Sequence, residues 1–283
     1  MQSQTTAGTV PVHHQIADSL RARIESEDLK AGDPLPSVSE LTQLWACSPG
    51  VARSALDVLR GEGRITGGRG KPATVRVPPR RVRLTIDWTQ EQKDLVLRPT
   101  EERKVRGAIE MTAGIPIEQL DSSHRYSQVP ASEDLAAEFQ IEPGATLVRR
   151  AYEMTDKATG HRVTWSVSHI PLTLIEGNPD LLDEDKEPWP GGHQHQLYTV
   201  GIELGRFERS VIAIQPTTAD RQVWGMEPGV PLLQVRSRSI DIDDRVVEIS
   251  DATYPADRTE IHFTEHLTRW PANYPRYERD EDQ

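Results

Sequence analysis

Residues 11–77 read PVHHQIADSLRARIESEDLKAGDPLPSVSELTQLWACSPGVARSALDVLRGEGRITGGRGKPATVRV. Ile16, Leu20 and Ile24 recur four residues apart, which lays one apolar stripe on a first helix. Lys30-Ala31-Gly32-Asp33-Pro34 breaks that pattern, since Gly and Pro favour a turn. Ser37-Val38-Ser39-Glu40 fits a capping box: the serine hydroxyl accepts from one free amide and the glutamate reaches back to another. Val38, Leu41, Leu44 and Trp45 are then expected to line a second helix. Ser48 suits an N-cap, and Pro49 suits the first helical position, where no N–H is needed. Val51, Ala52, Ala55, Leu56 and Leu59 give a third helix its buried face, and Gly61 and Gly63 stop it. Ile65 and Val75 flank Gly67-Gly68-Arg69-Gly70-Lys71-Pro72, a glycine-rich tip for a β-hairpin.

Two helices joined by a short turn, with a basic hairpin after them, make a winged helix-turn-helix. In such a pair the second helix presents its first turn to the major groove of DNA. Pattern alone leaves a small three-helix packing module open. The stretch resembles the DNA-binding domain of the GntR family of bacterial transcription regulators. Gln15-Ile16-Ala17, Leu20-Arg21, Gly32-Asp33, Leu35-Pro36-Ser37, Glu40-Leu41, Arg53 with Ala55-Leu56, Leu59, Glu62-Gly63 and the Gly-Lys-Pro wing carry the resemblance. It implies DNA contacts from Ser37, Ser39, Ser48, Pro49, Gly50 and Arg53, and from Arg69, Gly70 and Lys71 on the wing. The chain departs from the family at Ser39, where members usually carry arginine, and at Pro49-Gly50-Val51, where they carry Arg-Thr-Thr. Arg53 alone remains of that basic trio.

A length of 283 residues gives room for two domains. The single cysteine, Cys47, excludes an internal disulfide framework, fits a reducing compartment and reads as a small buried residue at the helix turn. No early apolar run resembles a signal peptide and no stretch is long enough to span a membrane, so the expected location is the cytoplasm. The net charge of −11 is unevenly spread. Residues 1–80 carry ten Lys or Arg against eight Asp or Glu, a balance of +2; the rest carries 23 against 36, a balance of −13. DNA attraction is thereby confined to the third helix and the wing.

The expected division is a DNA-binding domain over 10–78, a linker over 79–95, a second domain over 96–270 and a tail over 271–283. Val82, Leu84 and Ile86 alternate like a strand within the linker. Residues 147–155 and 162–170 are β runs joined by Asp156-Lys157-Ala158-Thr159-Gly160, a hairpin turn. Residues 206–214, 232–242 and 246–253 repeat the style. Residues 133–147 also resemble residues 219–232: in each, a short helix meets Glu-Pro-Gly and a long hairpin follows. This predicts an α+β fold, whose second domain is one antiparallel sheet with pseudo-twofold symmetry. Laying the copies together puts Trp165 opposite Glu248, and a crevice between symmetric halves is a natural ligand site.

The second domain resembles the UTRA ligand-sensing domain of the HutC branch of GntR regulators. The Glu-Pro-Gly units, Tyr152 with Asp156, Leu197-Tyr198 before Gly201-Ile202, and Glu248 with Tyr254 carry that resemblance; residues 189–198 also look like members from actinomycetes. It implies the antiparallel fold shared with chorismate lyase, without the lyase activity. Arg149 and Arg150 point to opposite faces of a strand, and Arg150 is the residue expected to clamp an anionic effector, as arginine clamps phosphate or carboxylate. Tyr152, Trp165, Ser166, Gln194, His195, Gln196, Glu248 and Tyr254 complete the expected effector site. His193 and His195 lie two apart with no third ligand in sequence reach, so no metal or other cofactor is expected. No Gly-x-Ser-x-Gly elbow, His-Glu-x-x-His motif or P-loop is present. The expectation is a homodimeric, effector-responsive regulator, a repressor rather than an enzyme, that binds a pseudo-palindromic operator in double-stranded DNA. An enzyme acting on a small carboxylate or phosphorylated metabolite is the alternative. An interaction protein whose DNA head has lost affinity is a further one.

Overall fold

The computed structural model describes residues 10–67, 72–79, 81–85, 89–107 and 119–268. The first domain comprises α1 (Val12–Glu25), α2 (Val38–Trp45) and α3 (Pro49–Gly61), then β1 (Ile65–Thr66) paired antiparallel with β2 (Thr74–Val75). Ile16, Ala17, Leu20, Leu41, Ala52, Leu56, Leu59, Ile65 and Val75 form one buried cluster. The capping box forms: the Glu40 amide donates to Ser37 Oγ at 3.2 Å, and the Ser37 amide donates to Glu40 Oε2 at 2.7 Å. Ser48 accepts from the Val51 amide, with Pro49 inside the first turn of α3. Leu44 departs from expectation, since it is 74% exposed. On an eight-residue helix the four-spaced pair Leu41 and Trp45 turns inward, and Leu44 rotates off that face. Cys47 is half-buried rather than buried. Ser37→Ala should lower the stability of this domain by about 1 kcal/mol. Thermal unfolding of the isolated residues 10–78 would show it, and an unchanged midpoint would remove the cap from the account.

The rest follows as β3 (Val82–Thr85), α4 (Thr89–Leu95), α5 (Thr100–Gly107), β4 (Leu120–Pro130), α6 (Glu133–Phe139), β5 (Thr146–Asp156), β6 (Arg162–Pro171), α7 (Leu172–Ile175), α8 (Gly192–Tyr198), β7 (Leu204–Ile214), α9 (Thr218–Trp224), β8 (Leu232–Asp241), β9 (Val246–Pro255) and β10 (Thr259–His262). A six-stranded antiparallel sheet runs β4-β5-β6-β9-β8-β7. The two halves repeat strand, helix, hairpin, and their inner strands β6 and β9 meet at the centre. The helix of each copy is capped alike, α6 by Ser132 and α9 by Thr217, and each ends on a left-handed residue, Gln140 or Gly225. One sheet face packs on these helices through Phe139, Leu147 and Ile249 in one half and Trp224 and Leu232 in the other.

The domains touch through Arg76 and at Gly229. Arg76, just past β2, forms an ion pair with Asp257, and Asp257 also holds Arg258, which donates to the Gly225 carbonyl at 3.1 Å. Gly229, at φ +83°, lies against the end of α3, where a Cβ would overlap the Gly61 carbonyl. Within the expected linker, β3 pairs in parallel with β10, Val82 opposite Thr259 through Thr85 opposite His262. Among the described residues no helix is long and apolar enough to cross a membrane.

Candidate functional site

Two surfaces carry chemistry. The first is the start of α3. Ser48, Pro49, Gly50 and Arg53 are all exposed there, and Ser37 and Ser39 are exposed at the start of α2. The burial of Ala52, Ala55, Leu56 and Leu59 fixes which side of α3 faces out. The hydroxyls of Ser37 and Ser48 already accept from backbone amides. Arg69, Gly70 and Lys71 of the wing tip lie outside the described residues.

The second is a cavity of about 890 Å³ on the sheet face opposite α6 and α9. Strand alternation builds its floor, because every second side chain of each strand points the same way. β5 contributes Arg150, Tyr152 and Met154; β6 contributes Thr164, Ser166 and Ser168; β9 contributes Glu248, Ser250 and Tyr254. Ser237 and Ser239 of β8 and Phe207 and Arg209 of β7 extend the floor to one edge. Trp189, His193 and Gln196 cover it from α8 and the segment before it, Arg103 from α5 and Leu84 from β3. Gly191 permits that cover: at φ +96° it lets α8 begin where a Cβ would crowd His195 and Arg103.

A half-buried polar network closes one end. Glu187 Oε1 accepts from the Tyr126 hydroxyl, from Tyr152 at 3.0 Å and from Gln196 Nε2 at 3.0 Å, while Oε2 accepts from the Trp189 amide at 2.8 Å. Burial alone would raise its pKa, but these four donors outweigh it and hold the carboxyl below its ordinary value. Burial is likewise the main cause that raises the pKa of Tyr126 and Tyr152, so both remain donors. Arg150 donates Nη1 to Gln196 Oε1 at 2.6 Å and Nη2 to the Leu181 carbonyl at 2.7 Å. Its guanidinium also lies 4.8 Å from the centre of the Tyr126 ring. Gln196 thus links a buried cation to a half-buried anion.

Of the residues expected at the effector site, Arg150, Tyr152, Ser166, Gln196, Glu248 and Tyr254 line this cavity. Trp165, Gln194 and His195 do not. Trp165 neighbours Ser166 on a strand and therefore faces the other way, packing near Trp224 with Arg162 over both rings. Gln194 is turned to the Thr89 carbonyl, and His195 accepts from Trp189 Nε1 at 2.9 Å. His193 faces Glu248 and Phe207 instead, so the two histidines share no partner. Sequence reasoning missed Glu187, Phe207 and Arg209. The alternation of β7 was the signal that could have found the last two.

The comparisons cover both domains. Residues 13–75 match the model described as bacterial regulatory proteins, gntR family, and residues 123–260 match the UTRA domain. The HTH-type transcriptional repressor NagR of Bacillus subtilis is 23% identical over 92% of this chain and 97% of that protein. The mannosyl-D-glycerate transport/metabolism system repressor MngR of Escherichia coli is 25% identical over 88% of this chain and 94% of its own length. A crystal structure of a GntR-family transcriptional regulator shares the fold, with a TM-score of 0.63 at 22% identity over 91% of this chain and 98% of that one. A chain with this DNA head and this ligand-binding sheet is a transcriptional regulator and not an enzyme: it belongs to the GntR family, and its C-terminal domain is a UTRA domain.

Proposed function

We propose that the protein is a homodimeric repressor that holds a pseudo-palindromic operator and releases it when a small hydroxylated or aminated anion enters the cavity. One observation carries this reading: Leu84, on the strand that leaves the DNA head, lines the cavity itself. A ligand can shift an equilibrium only through contacts that differ between two arrangements, and a cavity wall made of the connecting strand supplies such a contact. Residues 10–78 are the proposed reading head and 96–270 the sensing and dimerising part. α3 would enter the major groove with Ser48, Pro49, Gly50 and Arg53 leading, supported by Ser37 and Ser39 and by Arg69, Gly70 and Lys71 of the wing. Tyr152, Ser166, Gln196, Glu248 and Tyr254 would surround the effector. A cytoplasmic location suits a protein that must reach DNA and a metabolite together. That NagR and MngR are named repressors supports repression.

The test is an effector titration of the preformed protein–DNA complex. Glu248 is 6% exposed on the cavity floor, so losing its carboxylate leaves the effector's hydrogen-bond donor unmatched in a buried place. Glu248→Ala should raise the midpoint of release by roughly tenfold to a hundredfold, the equivalent of ~1.5–3 kcal/mol for a charge-assisted hydrogen bond. Equal midpoints for wild type and variant would take Glu248 out of the site.

A further inference from the structure

The two arginines of the cavity floor differ in what already occupies them. Arg150 is 2% exposed, both of its amino nitrogens are engaged by Gln196 and Leu181 while its Nε is buried without a partner among the described residues, and Glu187 balances its charge through Gln196. Arg209 lies in the same cross-sheet row. The register runs Arg150 to Ser168, Ser168 to Ser250, Ser250 to Ser237 and Ser237 to Arg209. Those four strand steps set the two arginines about 19 Å apart at the backbone. Arg209 keeps its guanidinium over Phe207, 4.6 Å from the ring centre. Among the described residues it has no carboxylate partner, and the adjacent Glu208 points away and is taken by Arg206 and Arg238. Although much of its surface is open, packing against the floor desolvates it enough to lower its pKa, and no carboxylate offsets this.

The opposite charge nearby is also underused. Among the described residues Glu248 is held only at long range, by Ser239 Oγ at 3.5 Å and His193 Nε2 at 4.0 Å. Burial lowers the pKa of His193, so at neutral pH that ring brings no positive charge to Glu248. A buried carboxylate with long contacts needs a donor, and an arginine on the same floor without a carboxylate needs an anion. Phe207 opposite Ser239, and Ser239 opposite Glu248, complete the floor between the two.

We infer that Arg209, rather than Arg150, holds the effector's anionic end, and that the effector lies along the β7–β8–β9 half of the floor with a hydroxyl or amine on Glu248. This rests on the effector reading of the cavity given above. The ligand class is a compact molecule carrying a carboxylate or phosphate at one end and hydrogen-bond donors along its length, which the serine hydroxyls of the row meet. Arg150 is then a positioning residue. It fixes Gln196 and, through it, Glu187 and the tyrosines.

Calorimetric titration of the full-length protein tests this with three probes: gluconate, glucose 6-phosphate and the neutral polyol glucitol. At least one anion should bind roughly tenfold or more tightly than glucitol. Arg209→Met should erase that preference while the unfolding midpoint stays nearly put, because no carboxylate among the described residues is left unpaired and methionine can keep packing on Phe207. Arg150→Lys should lower the unfolding midpoint and keep the preference for the anion. The gluconate and glucose 6-phosphate arms decide between carboxylate and phosphate. An Arg209→Met protein with the wild-type preference overturns the assignment, as does a wild type that binds neither anion better than glucitol. Tight anion binding that leaves DNA bound would instead count against the regulatory role of the cavity and leave this assignment standing.

Discussion

Glu187→Leu is expected to lower the stability of the effector domain by ~3–5 kcal/mol, the range for leaving a buried charge, here Arg150, without its counter-charge. Four donors converge on that carboxylate, and leucine accepts from none of them. Arg150 would remain buried with no anion across Gln196. Thermal unfolding of residues 79–283 should show a midpoint lower by roughly 6–20 °C for a domain of this size. A midpoint within the error of wild type would mean that water replaces the carboxylate at no cost and that the network is open. The pH dependence follows from the same group. Its folded pKa lies below the unfolded value, so its contribution is present above the unfolded carboxyl pKa, about 4.3, and is lost as pH falls through the folded one. Wild type should therefore lose stability on acidification below about pH 4, and Glu187→Leu should lose less over that window.

Arg53→Ala is expected to weaken operator binding by about 1–3 kcal/mol for each half-site, the worth of a good base contact. Two heads double that, so a dimer should lose on the order of a hundredfold or more. Arg53 stands exposed on the second turn of α3, and the family's other arginines are replaced by Ser39 and Pro49, so little else can compensate. Fluorescence titration against operator and random duplexes would separate the outcomes. Equal loss on both sequences would make Arg53 a phosphate contact, and no loss on either would place recognition on the wing.

The DNA head was legible because its signals are local. Ser37 and Glu40 cap each other within one turn, Pro49 marks a helix start, and Ile16, Leu20 and Ile24 carry their period on their own. Leu44 misled because apolarity on an eight-residue helix does not say which of two neighbouring positions turns inward. The duplicated hairpins were legible from the two Glu-Pro-Gly units, and strand parity separated Arg149 from Arg150. The same parity rule excludes Trp165 once Ser166 is placed in the cavity, and helical rotation keeps Gln194, His195 and Gln196 from sharing one direction. Glu187 could not be read in advance. It sits in a segment with no period, and its four donors come from β4, β5, α8 and the adjoining loop, which only the fold assembles. Arg209 was hidden for a different reason: what marks it is that no carboxylate among the described residues pairs with it.

The parallel ladder between β3 and β10 bears on how such regulators can be recombined. β9 ends at Pro255; two residues on, Asp257 grips Arg76 of the head, and the chain then runs as β10 beside the strand that leaves that head. A cut in the sequence just before α4 therefore splits the ladder between two parents, although it looks like a natural seam. The interchangeable part is discontinuous: residues 10–85 together with 255–262. Grafting the first piece without the second would give a hybrid whose head is covalently attached and mechanically uncoupled, able to find DNA and deaf to the metabolite.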